Sequence, residues 1–308
     1  MGTIRGVTTL PQTLIDAYTS YVTKKSSVAL VTVLQTDGST YSKVGGQMLV
    51  GSDGSSFGLL SGGCLENDLM EHATTAMKSG ETQWTEYDLR ADDDVFGLGV
   101  GCEGSMRVQI LPLDPQSDYQ PFSGWLAQLR DRRTVDASFD TGEGERPCLL
   151  RLRRPHEVLL LGAGQDAEPL IQFCRNLGWR LTVFDHRPAY ISALRQKQDC
   201  RFVCAPAAEL ADELDVARFD AAIIMSHHLA SDRQYLQTFA NTAVGFVGLL
   251  GPPHRRERLL GEIGAAGERL ADRLRSPVGK RIGGRGPAAI ALEVAAELQQ
   301  HFCELKFE

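Results

Sequence analysis

The fold is decided by the stretch Val158-Leu159-Leu160-Leu161-Gly162-Ala163-Gly164-Gln165-Asp166. An apolar strand runs directly into a Gly-x-Gly turn, and a helical pattern follows it. The next apolar run ends at Asp185, a little over twenty residues further along the chain. This order of strand, glycine turn, helix, strand and acid is typical of a dinucleotide-binding βαβ unit. The stretch therefore predicts a Rossmann-type domain.

Each residue of this turn has a predicted task. Gly162 permits the tight turn, and Gly164 with Gln165 lets backbone N–H groups approach a phosphate with no Cβ in the way. Asp185 is placed to accept hydrogen bonds from a ribose diol. Asp166 departs from the pattern, because it puts a carboxylate where a pyrophosphate would lie. It either stabilises the helix start or repels a second anion and weakens NAD binding. The alternative is a compact turn that binds nothing.

The second half of the chain alternates strands with helices, which predicts a parallel sheet. The predicted strands are Val158–Leu161, Arg180–Phe184, Phe202-Val203, Ala221–Met225 and Ala243–Leu249. The predicted helices are Asp166–Asn176, Tyr190–Gln196, Asp232–Ala240 and Pro287–Gln300. We place a domain boundary near Arg154-Pro155, so residues 1–155 form an N-terminal α/β domain and residues 156–308 form the Rossmann-type domain.

The first half of the chain is studded with glycine turns. Its predicted helices are Thr13–Lys24 and Cys64–Met77, and its predicted strands are Val28–Leu34, Met48–Val50, Phe57–Leu60, Trp84–Leu89 and Met106–Leu113. The segment Pro115–Phe122 is predicted to be a turn-rich connection, and Thr141–Gly144 to be a hairpin tip.

A second turn of chemical interest is Ser61-Gly62-Gly63-Cys64-Leu65-Glu66. Cys64 is predicted to fall at a helix start, where the partial positive charge favours a thiolate, and Gly62-Gly63 lets a bulky ligand approach the sulfur. Cys102 lies in another glycine-rich run, Gly97–Gly104. The alternative is that both cysteines are buried in tight turns.

Composition excludes several classes of function. The net charge of −7 and the pI of about 5.6 argue against a surface that binds nucleic acid. No apolar run reaches 18 residues and the N-terminus has no apolar signal core, so we expect neither a membrane span nor a signal peptide. Seven scattered cysteines without zinc-like spacing suit a reducing cytoplasm.

The two glycine turns, together with other motifs, resemble those of the XdhC/CoxI family, the xanthine dehydrogenase accessory proteins. The stretches that carry the resemblance in the first half are Gly38-Ser39-Thr40, Gly45–Val50, Ser61–Glu66 and Gly101-Cys102-Glu103-Gly104. In the second half they are Gly162-Ala163-Gly164, Asp185-His186-Arg187-Pro188, Ser226-His227, Gly245–Gly251 and Ser276-Pro277-Val278-Gly279. They span nearly the whole chain in the same order.

The resemblance implies a chaperone rather than a turnover enzyme. Such a protein binds molybdenum cofactor, as molybdopterin or its dinucleotide form, supports its sulfuration and passes it to an apo molybdenum hydroxylase. It also implies a homodimer, with a cysteine desulfurase and a cofactor nucleotidyltransferase as further partners. By the resemblance Cys64 contacts the cofactor or its metal, for which a thiolate is a soft ligand. The implied contact residues are Gly62, Gly63, Cys64, Glu66, Cys102, Gly162, Gly164, Gln165, Asp185, Ser226 and His227.

This chain departs from the family pattern in three segments, one of which is Gly251-Pro252 where the family often has Gly-Ser. The family often has His-Asp where this chain has His227-His228, and Gly-Leu-Asp-Ile-Gly where it has Gly279-Lys280-Arg281-Ile282-Gly283. The added cations, with Arg285, either lie in a solvated loop or contact a more anionic ligand. Ser226 and His227 follow the fourth strand, where side chains reach a ligand crevice or serve the core and a helix cap.

The leading hypothesis is a cytoplasmic molybdenum-cofactor maturation chaperone with its ligand between the two domains, near the carboxyl ends of the parallel strands. Glu66 and Glu103 either orient ligand donors or act as helix-start and turn charges. A second hypothesis is an NAD(P)-dependent oxidoreductase in which Asp185 contacts the ribose and Cys64 or His227 lies at the reacting carbon. A third is a ligand-sensing module that regulates a partner.

Overall fold

The structure is a computed structural model that describes residues 4–88, 104–142 and 146–304. The chain divides into two compact units, Met1–Arg154 and Pro155–Glu308. Among the described residues, no helix combines the length and the apolar composition that a membrane span requires.

The first unit contains two sheets and the helices that cover them. Its elements are β1 (Ile4–Thr9), α1 (Gln12–Lys24), β2 (Val28–Gly38), β3 (Gln47–Gly51), β4 (Ser56–Phe57), α2 (Glu66–Ser79), β5 (Gln83–Asp88), β6 (Gly104–Leu113), α3 (Phe122–Asp131), β7 (Thr134–Phe139) and β8 (Cys148–Arg153). Within the described residues, the larger sheet is antiparallel with order β4-β3-β2-β6-β5, and the smaller sheet has order β1-β8-β7.

The central position of β2 in the sheet explains why its sequence begins with an almost continuous apolar run. Its residues point alternately to the two faces of the sheet, and both faces are covered. Val28 and Leu30 pack with α1, α3 and the smaller sheet, whereas Ala29 and Val31 pack with α2. The larger sheet is therefore the middle layer of the unit, and its loops emerge from the edge of a rigid core.

The second unit is a doubly wound parallel sheet, which confirms the predicted Rossmann-type fold. Its elements are β9 (Glu157–Leu161), α4 (Ala167–Asn176), β10 (Arg180–Asp185), α5 (Pro188–Arg195), β11 (Arg201–Cys204), α6 (Leu210–Glu213), β12 (Ala221–Ile224), α7 (Leu229–Phe239), β13 (Phe246–Leu249), α8 (Pro253–Ile263), α9 (Ala265–Leu270), β14 (Leu274–Arg275) and α10 (Pro287–Glu304). The strand order is β11-β10-β9-β12-β13-β14, with every pair parallel.

Helices cover both faces of this sheet. One core contains residues of α4, α5 and α10, and the other contains residues of α6, α7, α8 and α9. The chain starts at β9, adds β10 and β11 on one side, and then returns to add β12 on the other side. The strand order therefore reverses beside β9, and ligands of such sheets bind at the carboxyl ends of the strands at this point.

Two predictions about local structure were wrong in their bounds. The strand expected at Phe57–Leu60 is limited to Ser56–Phe57, and the helix expected from Cys64 begins at Glu66. The turn-rich connection predicted at Pro115–Phe122 is present, and α3, for which no element was predicted, begins at its last residue. The predicted hairpin tip does join β7 to β8, although residues 143–145 lie outside the described part of the chain.

The two glycines of the turn after β9 are in different surroundings. Gly162 has φ +130°, and a Cβ placed there would lie 2.5 Å from the carbonyl oxygen of Met225. Gly164 has no atom within 4 Å of a Cβ placed on it. Gly162 is therefore required by the packing of β9 against the end of β12, whereas Gly164 faces open space.

We predict that Gly162→Ala destabilises the protein strongly and that Gly164→Ala has little effect on its stability. Gly162→Ala forces an L-residue into a disfavoured backbone conformation and against Met225, so the free energy of unfolding falls by about 3 kcal/mol or more. Gly164→Ala changes it by no more than about 1 kcal/mol. Urea unfolding of the two variants measures the difference, and equal losses would contradict this assignment.

Candidate functional site

Cys64 lies in a turn whose backbone only glycine adopts readily. Gly62 and Gly63 have φ values of +77° and +111°, a region that L side chains disfavour. Cys64 itself is half-buried and packs at the margin of the core under α2. The turn thus exposes two residues without side chains beside a thiol that is partly open to solvent.

The carboxylate of Glu66 holds this turn in place through hydrogen bonds. Its carboxylate accepts hydrogen bonds from the backbone N–H groups of Leu60 (3.0 Å), Ser61 (2.8 Å) and Gly63 (2.9 Å), and it accepts a short one from the Ser61 hydroxyl. Partial burial by itself raises the pKa of Glu66, but these donors outweigh burial and lower its pKa. The carboxylate is therefore anionic and occupied, so Glu66 positions the Cys64 turn from within the protein.

Other family-like stretches surround the same turn. The ring of Tyr41 lies 3.4 Å from where a Cβ of Gly62 would be, and the Ser42 hydroxyl donates to the Leu59 carbonyl at 3.3 Å. A Cβ on Gly104 would lie 2.7 Å from the carbonyl oxygen of Ser39. The segments around residues 39–42, 59–64 and 104 thus converge at one edge of the larger sheet. Cys102 and Glu103 fall outside the described residues.

The carboxylate of Asp185 is already hydrogen-bonded by other residues of the protein. It is 1% exposed, and its carboxylate accepts hydrogen bonds from the Ala163 N–H (2.7 Å) and from Arg187 through the backbone N–H (2.9 Å), Nε (2.9 Å) and Nη2 (2.6 Å). Burial raises the pKa of Asp185, but the bonds from Arg187 and Ala163 outweigh burial and lower it. A ribose diol would have to displace one of these donors.

The residues after β12 have three separate roles. The Ser226 hydroxyl donates a short hydrogen bond to buried Asp232, which also pairs with Arg255. His227 has φ +58°, and its Nε2 lies 2.9 Å from an oxygen of Asp166. His228 caps α7, because its Nδ1 accepts from the Ser231 N–H at 3.4 Å. Ser226 is thus part of a buried network, while His227 reaches the glycine turn.

Asp166 and Gln165 complete the surroundings of the open position at Gly164. Asp166 carries its carboxylate at the start of α4 and holds it against His227. Gln165 is exposed. A phosphate at this turn therefore meets one acidic side chain as well as backbone N–H groups.

The segment Gly279–Gly283, which departs from the family pattern, lies along α10. The Glu293 carboxylate accepts hydrogen bonds from the N–H groups of Ile282 (3.0 Å) and Gly283 (2.9 Å), and Glu297 accepts one from Gly279 (2.6 Å). Lys280 and Arg281 are exposed between these anchors. Sequence reasoning missed both anchoring acids, since their partners lie ten or more residues away.

Sequence reasoning also missed the Asp166–His227 and Asp232–Arg255 pairs, which join residues 61 and 23 positions apart. Only the nearness of Glu66 to Gly63 was visible locally, because an acid three residues after a turn is a capping signature. Among the described residues, no group of three or more metal-ligating side chains is assembled.

Known protein families match stretches in both units of the chain. The model of the XdhC Rossmann domain matches residues 158–298, and the model of the XdhC and CoxI family matches residues 22–88. A Bacillus subtilis (strain 168) protein, named as a probable subunit of xanthine dehydrogenase, is 29% identical over 328 residues, covering 94% of this chain and 96% of its own. The Escherichia coli (strain K12) molybdenum cofactor insertion chaperone PaoD is 24% identical, covering 87% of this chain and 81% of its own.

A solved structure extends the likeness to the fold of the whole chain. The crystal structure described as a xanthine dehydrogenase from Bacillus halodurans has a TM-score of 0.79 and 25% identity, and the match covers 96% of each chain. The two family models match separate halves of this sequence, in the order that the resemblance predicts. This protein therefore belongs to the XdhC and CoxI family.

Proposed function

We propose that this protein is an accessory chaperone that binds molybdenum cofactor and delivers it to a molybdenum hydroxylase of the xanthine dehydrogenase type. The observation that carries the proposal is the Cys64 turn, in which Glu66 holds a partly exposed thiol next to two glycines. The names of the relatives support it, since one is a molybdenum cofactor insertion chaperone and another is named as part of a xanthine dehydrogenase.

The residues present suit this cargo. A cysteine sulfur is a soft donor, the kind of ligand that suits a metal centre already bound through sulfur. Gly62 and Gly63 are exposed and lack side chains, so a bulky ligand can reach Cys64 without a steric barrier from them. Considered by itself, the second unit offers backbone beside open space at Gly164, a place that suits a phosphate.

We propose a client protein and two partner enzymes for this chaperone. The client is an apo molybdenum hydroxylase, and the protein acts as a homodimer in the cytoplasm that supports sulfuration of the cofactor. A cysteine desulfurase supplies the sulfur, and a cofactor nucleotidyltransferase supplies the dinucleotide form. In this role the chain holds and transfers a cofactor, so it needs binding residues rather than an acid–base pair of its own.

The geometry disfavours the rival NAD(P)-dependent oxidoreductase. The ribose of NAD normally takes a free acidic acceptor after the second strand, but Asp185 already accepts four hydrogen bonds from its own chain. Asp166 adds negative charge where the pyrophosphate would lie. Both features raise the free energy of a bound nicotinamide dinucleotide.

We predict that Cys64→Ala weakens the binding of molybdenum cofactor at least about tenfold, because it removes a sulfur contact worth roughly 1.4 kcal/mol or more. Titration of the purified protein with isolated molybdenum cofactor measures the affinity, and we expect one site per chain. The matched control is Cys204→Ala, which removes an exposed thiol of the second unit. Equal affinities for the wild type and Cys64→Ala would reject the sulfur contact.

We predict that Glu66→Gln loosens the Cys64 turn while leaving the thiol in place. The amide offers only one acceptor atom in place of two, so either the N–H groups of Leu60 and Ser61 or the N–H group of Gly63 loses its acceptor and its protection from hydrogen exchange. The cost in stability is about 1–3 kcal/mol. Glu71→Gln, at an exposed position of the same helix, is the control.

The cofactor affinity of Glu66→Gln separates positioning from folding. We expect Glu66→Gln to lose affinity even where the protein stays folded, and Glu71→Gln to keep it. Unchanged exchange at Ser61 and Gly63, or unchanged affinity in a variant with faster exchange, would show that Glu66 does not position Cys64.

We predict that NADH shows no saturable binding at concentrations below about 1 mM, which corresponds to a binding free energy weaker than roughly −4 kcal/mol. Nicotinamide fluorescence during titration measures it. Tight NADH binding by a protein that does not bind molybdenum cofactor would favour the oxidoreductase instead.

A further inference from the structure

The loop between β14 and α10 carries three cations that pair with no acid in the described part of the chain. It reads Gly279-Lys280-Arg281-Ile282-Gly283-Gly284-Arg285-Gly286, and every residue from Lys280 to Ala288 is exposed. Among the described residues, the side chains of Lys280, Arg281 and Arg285 make no hydrogen bond or ion pair. The loop is therefore a concentrated source of positive charge.

Two arginines at this edge of the sheet are paired. Arg187 is bonded to Asp185, and Arg255 is bonded to Asp232, so these two cations are neutralised by buried acids. Asp166 faces His227. The loop therefore adds three cations without a partner among the described residues at an edge where Arg187 and Arg255 are already neutralised.

The backbone of this loop is fixed, and its anchored N–H groups are occupied. Glu293 accepts from Ile282 and Gly283, and Glu297 accepts from Gly279. The Lys280 N–H donates to the Glu293 carbonyl at 3.0 Å. These four N–H groups are therefore not open to an anion, and the side chains of Lys280 and Arg281 project from the anchored part of the loop.

The loop lies near the glycine turn of the same unit. Ile290, Ala291 and Val294, in the first turns of α10, line the same small apolar cavity as Asp166 and Leu170 at the start of α4. The two helices therefore begin side by side. The loop that precedes α10 reaches the same edge of the sheet as the open position at Gly164.

We propose that Lys280, Arg281 and Arg285 bind the second phosphate of a diphosphate-bearing ligand whose first phosphate lies at the turn between Gly162 and Gly164. Asp166 repels a second phosphate at the start of α4, where an ordinary Rossmann dinucleotide places it. The three cations attract that phosphate to the side of the turn that faces the start of α10. Arginine can form bidentate hydrogen bonds with phosphate oxygens. This deepens the proposed function, because it assigns the dinucleotide form of the cofactor as the ligand class.

The test compares inorganic pyrophosphate with inorganic phosphate by calorimetric titration at low salt. The variant Lys280→Leu/Arg281→Asp restores the residues that the family often has at these positions. Lys24→Leu/Lys25→Asp makes the same change of charge at two adjacent exposed lysines of the first unit. We expect the wild type and the control to bind pyrophosphate about tenfold more tightly than phosphate, and the loop variant to lose that preference.

Salt gives a second readout, because exposed charge pairs are screened. The preference of the wild type for pyrophosphate should shrink as salt rises, while the loop variant shows no preference at any salt concentration. Equal binding of the two anions by the wild type at low salt, or an unchanged preference in the loop variant, would overturn the inference.

The outcome is separable from that of the proposed function. A protein that binds molybdenum cofactor through Cys64 but shows no preference for pyrophosphate keeps the chaperone function and loses the diphosphate subsite. A protein with the preference but without cofactor binding keeps the subsite and loses the proposed cargo.

Discussion

Carboxylates that accept hydrogen bonds from backbone N–H groups determine the shape of the glycine-rich turns in this protein. Glu66 does so for the Cys64 turn, Asp185 for the turn after β9, and Glu293 for the loop before α10. Glycine-rich segments lose much conformational entropy on folding, and their N–H groups find no partners in a helix or sheet. Charge-assisted hydrogen bonds offset both costs, so these turns hold one conformation.

This arrangement also sets the electrostatics of the Rossmann unit. Acids that the turn needs for its shape are neutralised by arginines next to them, as Asp185 is by Arg187. The sheet edge therefore carries little net charge from its buried part. An anionic ligand is attracted by backbone dipoles and by exposed side chains and not by buried charges. The conformations of the turns determine where these dipoles and side chains lie.

The parallel sheet was predictable because it depends on local signals: apolar runs, glycine turns and the spacing to Asp185. In contrast, β7 was missed although Thr134–Phe139 alternates strictly between exposed and buried residues, since the run is short and only half apolar. Helix α8 was missed because charged residues dominate it, and only Leu259 and Ile263 are buried. Contacts such as Asp166–His227 depend on the order of strands in the sheet, which no local pattern encodes.

The contrast between Gly162 and Gly164 bears on how such a protein can diverge. One glycine is fixed by its approach to the backbone of Met225, whereas the other borders open space. Substitutions at the second position, or in the loop before α10, leave the sheet intact. The position of Gly164 can therefore carry a side chain that alters ligand contacts at little cost to the sheet, whereas the position of Gly162 cannot.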